Sequence, residues 1–204
     1  MDRRFNITAG DELFETYLQE LIEWNKKFNL TAVSDPDEIR VRHFEDSLSV
    51  LQAIDLRDQS VLDVGAGAGF PGIPLKILRP EIKLTLIEAT RKKVEFLKHL
   101  IEILKLDKVE AIWGRAEVLN RNPKYKGKFE VVVSRAVAKL PQLVKYCLPF
   151  LRPNGIFIAM KQEDAGAEIK ASEAVIKKLK GKLKRILKIK VGEVFRSLIV
   201  IEKA

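Results

Sequence analysis

Val61-Leu62-Asp63-Val64-Gly65-Ala66-Gly67-Ala68-Gly69-Phe70-Pro71-Gly72 runs from an apolar stretch into glycines at alternate positions and leaves through IPLKIL at 73–78. A strand, a glycine turn and a helix in that order bring backbone up to a ligand. Glycines remove the Cβ atoms that would hold the ligand away, and the helix start presents N–H groups. Dinucleotide sites use G-x-G-x-x-G. Counting from Gly65, the sixth position is Phe70, so the pattern here is G-x-G-x-G. A bulky side chain there crowds a pyrophosphate and weakens a nicotinamide reading. A cofactor without phosphates, carrying an amino-acid tail and an adenosine, needs only the backbone approach, and S-adenosylmethionine meets that description.

Downstream of the loop, short β-branched runs alternate with helical stretches: VLDV at 61–64, LTLIEA at 84–89, VEAIW at 109–113, FEVVVS at 129–134 and IFIAM at 156–160. Helices are predicted over 72–78, 91–104 and 140–151. This alternation predicts a doubly wound parallel sheet with right-handed crossovers. KRILKIKV at 184–191 and RSLIVIEK at 196–203 are separated only by the region of Gly192 and Glu193 and read as an antiparallel hairpin closing one edge. The expected fold is α/β and Rossmann-like: a mostly parallel seven-stranded sheet with a C-terminal antiparallel hairpin.

Upstream, Leu13, Phe14, Tyr17, Leu18, Leu21, Ile22 and Phe28 recur at helical spacing and predict a helix over 11–27 with a capping box from Thr8 and Asp11. Asp35, Pro36, Asp37 and Glu38 start a second helix with Ile39, Phe44, Leu48 and Leu51 as its stripe. One domain is expected, with 1–58 a helical extension and 59–204 the core. Cys147, among Leu143, Val144 and Leu148, reads as core, and the spacing of Trp24 and Phe28 favours packing over stacking on a base.

The 204 residues carry 37 Lys plus Arg against 28 Asp plus Glu, a formal +9, which favours a polyanionic partner, although lysine-rich surfaces also serve solubility. No apolar run approaches the roughly 18 to 20 residues of a membrane span, and 1–17 has no apolar block behind its charges. A cytoplasmic protein without membrane contact is expected. One cysteine excludes an internal disulfide, and with only His43 and His99 beside it no metal is expected.

Glu88 ends the second strand about twenty residues past the loop, where a carboxylate can take two hydrogen bonds from a ribose. Asp63 either bonds the loop backbone or reaches the cofactor ammonium through water, the first being favoured. In Trp113-Gly114-Arg115-Ala116-Glu117, Glu117 either caps a helix or belongs to an adenine contact.

WNKKFNLTAV at 24–33, RHFEDSL at 42–48, LDVGAGAGFPGIPLKILRP at 62–80 and SRAVA at 134–138 resemble the glucose-inhibited division protein B family, also called RsmG. The motifs fall in order over nearly the whole chain, and GFPGIPL is far more specific than the glycines. The resemblance implies the class I S-adenosylmethionine-dependent methyltransferase architecture and N7-methylation of a guanine in 16S ribosomal RNA, free or in a partly assembled small subunit. It implies cofactor contact through Gly65, Phe70, Ala116, Glu117 and Arg135, with Glu88 on the ribose and Gly67 and Gly69 shaping the loop. The lysine ending the fifth strand is often followed by glycine in the family; here Lys161 is followed by Gln162.

Guanine N7 carries an exposed in-plane lone pair, so no general base and no catalytic side chain are expected. His43, Asp46 and Ser47, one helical turn apart, read as a polar surface and not as a triad. Arg135, at the end of the fourth strand, is expected to position an anion. Asn25, Asn29, Arg40, Arg42, His43, Arg115 and Lys161 are candidates for gripping RNA. Asn29 equally suits a left-handed cap, and His43 equally suits packing. The basic run 177–190 reads chiefly as solvated lysines. A monomer is expected. The competing readings are a small-molecule methyltransferase with the same loop and a non-catalytic RNA-binding protein.

Overall fold

A computed structural model describes residues 12–204, so the expected capping box of Thr8 and Asp11 lies outside the described residues. Helix α1 (Glu12–Phe28) buries Phe14, Tyr17, Leu18 and Leu21, with acids in its first turn and Lys26 and Lys27 in its last, the polarity its dipole favours. Asn29 follows in the left-handed region, φ 47°. Its N–H donates to Asn25 O at 3.3 Å, which is the capping arrangement.

The second helical segment departs from the single regular helix expected of it. Asp35 caps it through Glu38 N–H, and α2 (Pro36–Ile39) gives way to a π-helical stretch (Arg40–Glu45), then α3 (Asp46–Leu48) and a 3₁₀ turn (Ser49–Gln52). The cause lies in the stripe itself. Ile39, Phe44, Leu48 and Leu51 are spaced by five, four and three residues, so a chain that turns each of them inward winds wide, then regular, then tight.

The sheet has order β3-β2-β1-β4-β5-β7-β6. Strands β1 (Ser60–Val64), β2 (Lys83–Glu88), β3 (Val109–Trp113), β4 (Phe129–Arg135) and β5 (Leu151–Gln162) are parallel. β6 (Gly181–Val191) and β7 (Val194–Lys203) form the expected hairpin, and β7 inserts antiparallel against β5 while β6 takes the edge. Val61, Val131 and Val133 face one core with α1, the second helical segment, α4 (Gly72–Leu78) and α5 (Arg91–Ile103). Leu62, Val64 and Val132 face the other with α6 (Ala116–Leu119), α7 (Leu140–Cys147) and α8 (Gly166–Lys178). That alternation is the period of two that a sheet covered on both faces requires.

Two further boundaries differ from expectation. The helix expected over 140–151 stops at Cys147, where Leu148–Phe150 tightens to 3₁₀, because Pro149 has no N–H to continue the ladder. Leu151 already belongs to β5. Helix α8 is an element the sequence pattern did not reveal; its buried side chains are only Ser172 and Ile176, too few for a stripe. Cys147 is buried, and Trp24 packs on Phe28 and Phe96 with ring centroids 5.6 and 5.5 Å apart.

Candidate functional site: two cavities at the switch point

β1 lies between β2 and β4, so the chain crosses over at the C-terminal ends of β1 and β4, the place where doubly wound sheets hold ligands. A cavity of about 490 Å³ opens there. Its floor is the glycine loop, tied to the sheet by Gly65 N–H and Ala66 N–H on Ile87 O at 2.8 and 3.1 Å. Gly67 has φ +59°, and a Cβ added to it would meet only Gly65 O at 3.9 Å, so its missing side chain leaves open space in front of the backbone. Gly69, also left-handed, does not line the cavity: a Cβ there would strike Tyr17 Oη at 2.6 Å and Ile73 Cγ1 at 2.8 Å. Its role is to let α1 close over the loop.

Glu88 is 8% exposed, and its two carboxylate oxygens accept from Gly67 N–H at 3.0 Å and Thr90 N–H at 2.7 Å. The start of α4 is spent internally as well: Gly72 N–H donates to Asp63 Oδ2 at 2.8 Å and Ile73 N–H to Gly69 O at 2.8 Å. A pyrophosphate would meet a carboxylate instead of free N–H groups. Each Glu88 oxygen keeps a lone pair for a hydroxyl donor. Asp63 takes the structural fate; burial raises its carboxyl to about 7 despite the Gly72 bond, and its Oδ1 is buried without a partner.

Ala116, Glu117 and Arg115 line the opposite wall, with Leu30, Val64, Ile87, Val137 and Tyr146 as apolar lining. Arg115 lies 4.0 Å from Glu117 at the surface. Phe70 forms the wall toward the N-terminal helices: it stacks on Tyr17 (5.3 Å, 13°) and His43 (4.7 Å, 30°), with the Arg135 guanidinium 5.1 Å from its ring centroid. Tyr17 Oη–H donates to Ala68 O at 2.5 Å, fixing the loop from above.

A second cavity of about 480 Å³ adjoins the first. His43, Arg135, Ala136, Val137 and Ala138 line both and form the shared wall. The second cavity adds Arg42, Lys139, Lys161 and Arg196 as cations and Asp46, Asp164 and Glu168 as acids. Lys161 Nζ is held by Glu168 at 2.9 Å and Ala138 O at 3.1 Å. Arg42 pairs with Glu38 at 3.0 Å at the surface.

Here the expected polar surface of His43, Asp46 and Ser47 must be corrected. Asp46 and Ser47 are 2% and 0% exposed, because the π-helical stretch turns them inward. Ser47 Oγ–H bonds His43 O, and Asp46 pairs with Arg135 at 2.9 Å and Arg196 at 3.2 Å. The three still form no triad: His43 Nε2 faces Thr31 Oγ1 at 2.7 Å. Burial and the Arg135 charge lower His43 to about 4.

Residues 11–198 match the protein family described as GidB, rRNA small subunit methyltransferase G. The chain belongs to this family. It is 46% identical over 194 residues to the ribosomal RNA small subunit methyltransferase G of Pelotomaculum thermopropionicum, covering 93% of this chain and 81% of that protein. The Desulforamulus reducens protein of the same name is 43% identical over 206 aligned positions, covering 99% and 86%. Among solved structures, a SAM-dependent methyltransferase from Aquifex aeolicus superposes with TM-score 0.61 at 18% identity, covering 85% of this chain and 96% of that one, a likeness of fold.

In this family member the residues named from sequence separate into three groups. Gly65, Gly67, Phe70, Glu88, Arg115, Ala116, Glu117, His43 and Arg135 meet around the first cavity, and Arg42 and Lys161 line the second. Asn25 and Asn29 line neither: Asn25 Oδ1 accepts Thr31 N–H at 2.9 Å, and Asn29 is the cap. Arg40 is drawn to Glu15 at 2.5 Å. Sequence reasoning missed Arg196 and Glu168 as members of the second cavity, for nothing local marks them; their partners lie 150 and 28 residues away. Among the described residues no three His, Cys, Asp or Glu gather to hold a metal ion, and no helix is long and apolar enough to cross a membrane.

Proposed function

We propose that this protein methylates N7 of a guanine in 16S ribosomal RNA, with S-adenosylmethionine in the first cavity and the target base in the second. The observation that carries the reading is the shared wall: two cavities of matching size meet at Arg135 and the 136–138 turn, one walled by the glycine loop and a carboxylate, the other by cations. Family membership supplies the reaction class, rRNA methyl transfer, and the cofactor.

The residues present fit the cofactor. The space in front of Gly67 admits a ligand against backbone, the free lone pairs of Glu88 suit ribose hydroxyls, and the Ala116 wall suits an adenine. Unpartnered Asp63 Oδ1 supports a negative end for the ammonium group, through water. When bound, S-adenosylmethionine supplies a sulfonium methyl, which N7 takes with its own lone pair while the C–S pair stays on sulfur. No proton leaves, so the chain's residues have only to orient and to exclude water, for which roughly 7 to 11 kcal/mol is available in favourable cases. His43, neutral and stacked on Phe70, serves as a wall. Arg42, Lys139 and Lys161 face the phosphates around the target base.

The chain acts as one monomeric domain without a metal, and a ribosomal substrate supports a cytoplasmic location. The deciding experiment maps N7-methylguanine by chemical strand cleavage in small-subunit RNA incubated with and without protein. A single cleavage site that depends on protein and cofactor is expected; methylation of free guanosine with none in RNA would favour the small-molecule reading.

A further inference from the structure

Asp46 is a buried carboxylate placed between two arginines from different strands. Its Oδ2 accepts Arg135 Nη1–H at 2.9 Å and its Oδ1 accepts Arg196 Nε–H at 3.2 Å. The three groups come from the N-terminal helical segment, the end of β4 and β7. We propose that Asp46 is a positioning residue for methyl transfer, clamping Arg135 into the wall between the two cavities and turning the free end of Arg196 toward the substrate. This rests on the reading that the second cavity receives the target nucleotide.

Hydrogen-bond accounting separates the two arginines. Arg135 is spent: Nη1 also donates to Arg42 O at 3.1 Å, Nη2 lies 3.4 Å from His43 Nδ1, and the guanidinium lies over Phe70. Arg196 uses only Nε, and its two terminal amino groups have no partner among the described residues. It lines the second cavity alone. A guanidinium anchored at Nε presents both amino groups in a plane, the geometry that grips a phosphate of the target nucleotide in two bonds.

Charge gives Asp46 a second task. Methyl transfer relocates a positive charge from sulfonium to the guanine ring, from one side of the shared wall to the other. Two uncompensated guanidiniums at that wall would oppose its arrival. With Asp46 the trio carries one net positive charge. The π-helical stretch makes this possible, since the Asp46 N–H is shared by His43 O and Val41 O and the side chain turns inward.

The test is Asp46→Asn in the full chain, which keeps the shape and removes the charge. With wild-type and variant at saturating cofactor and a small-subunit RNA transcript, the single-turnover methyl-transfer rate is expected to fall at least tenfold. The cofactor Kd is expected to move less than threefold, and RNA is expected to bind as tightly or more tightly, because a negative charge has gone. A residue that only stabilises the fold would instead lower all three in step with the folded fraction, and that outcome, or a rate within threefold of wild type, overturns the proposal. Side-chain NMR of ¹⁵N-arginine protein reads the clamp without activity. The Arg196 Nε–H signal should shift in the variant, and guanosine 5′-monophosphate should perturb the Arg196 amino signals in wild type but not in Asp46→Asn. If the wild-type protein methylates no RNA, the functional reading fails, and the nucleotide titration judges Asp46 by itself; equal perturbation in both proteins refutes the clamp. Should Asp46→Asn not fold, Arg196→Lys, which keeps the charge and loses the fork, is expected to give the same split of rate from affinity; unchanged turnover there equally overturns it.

Discussion

At the residue scale the glycine loop shows how a missing methyl group can matter more than a present one. A Cβ on Gly67 would enter open space, so Gly67→Ala should fold, at about 1 to 2 kcal/mol for a left-handed alanine, yet obstruct the cofactor. Calorimetric titration is expected to show at least tenfold weaker S-adenosylmethionine binding beside a small drop in melting temperature. His43 yields a prediction in pH. Lowered to about 4, it stays neutral where a free histidine would titrate, so the saturated single-turnover rate should be flat between about pH 6 and pH 8.5. A steep rise in that range, lost in His43→Gln, would mean that a proton is abstracted and that the target is not N7. The same shift has a sign in stability. Between about pH 6.5 and 4 the unfolded chain takes up a proton that the folded one refuses, so His43 subtracts stability as pH falls through that window.

At the scale of elements, the site is a loop held from two sides. From above, α1 reaches it through Tyr17, whose hydroxyl bonds Ala68 O and whose ring stacks on Phe70. Tyr17→Phe leaves that carbonyl without its donor and should cost about 1 to 3 kcal/mol in denaturant unfolding while weakening cofactor binding. From below, Asp63 bonds Gly72 N–H at the expense of a buried charge. Its raised value means that stability is full below the ordinary carboxylate range and is lost as pH rises through about 7. Asp63→Asn keeps an acceptor for Gly72 and removes that loss, so urea unfolding at pH 5 and pH 8.5 should show a decline in wild type that the variant lacks. The strand–turn–helix was legible from local residues, because glycines and β-branched runs act locally. The winding around Phe44 was not read, although the spacing of its apolar residues carried it. α8 was illegible because one buried isoleucine and one serine make no pattern.

For the whole molecule, the seven-stranded order with an antiparallel closing hairpin followed from element alternation, since crossover handedness leaves few other topologies. The first cavity was mostly legible because one loop and one strand end build it. The second was not, since β4, β5, β7 and the N-terminal segment each contribute single side chains that meet only on folding. The excess of positive charge is expected to separate the two ligands in solution: RNA affinity should fall steeply with salt as counterions are released, whereas cofactor affinity should hardly change. Parallel titrations at several salt concentrations check this, and a flat RNA curve would count against the ribosomal substrate.

The insertion of β7 between β5 and β6 also constrains the order of assembly. During synthesis β6 emerges first, but the outer place it must take does not exist until β7 has docked on β5. For that interval an eleven-residue strand waits without its only neighbour. The lysines at 182, 184, 188 and 190 are the charges that keep such a strand from pairing with another copy, so a variant stripped of them should accumulate as aggregate during refolding even where the finished protein is no less stable.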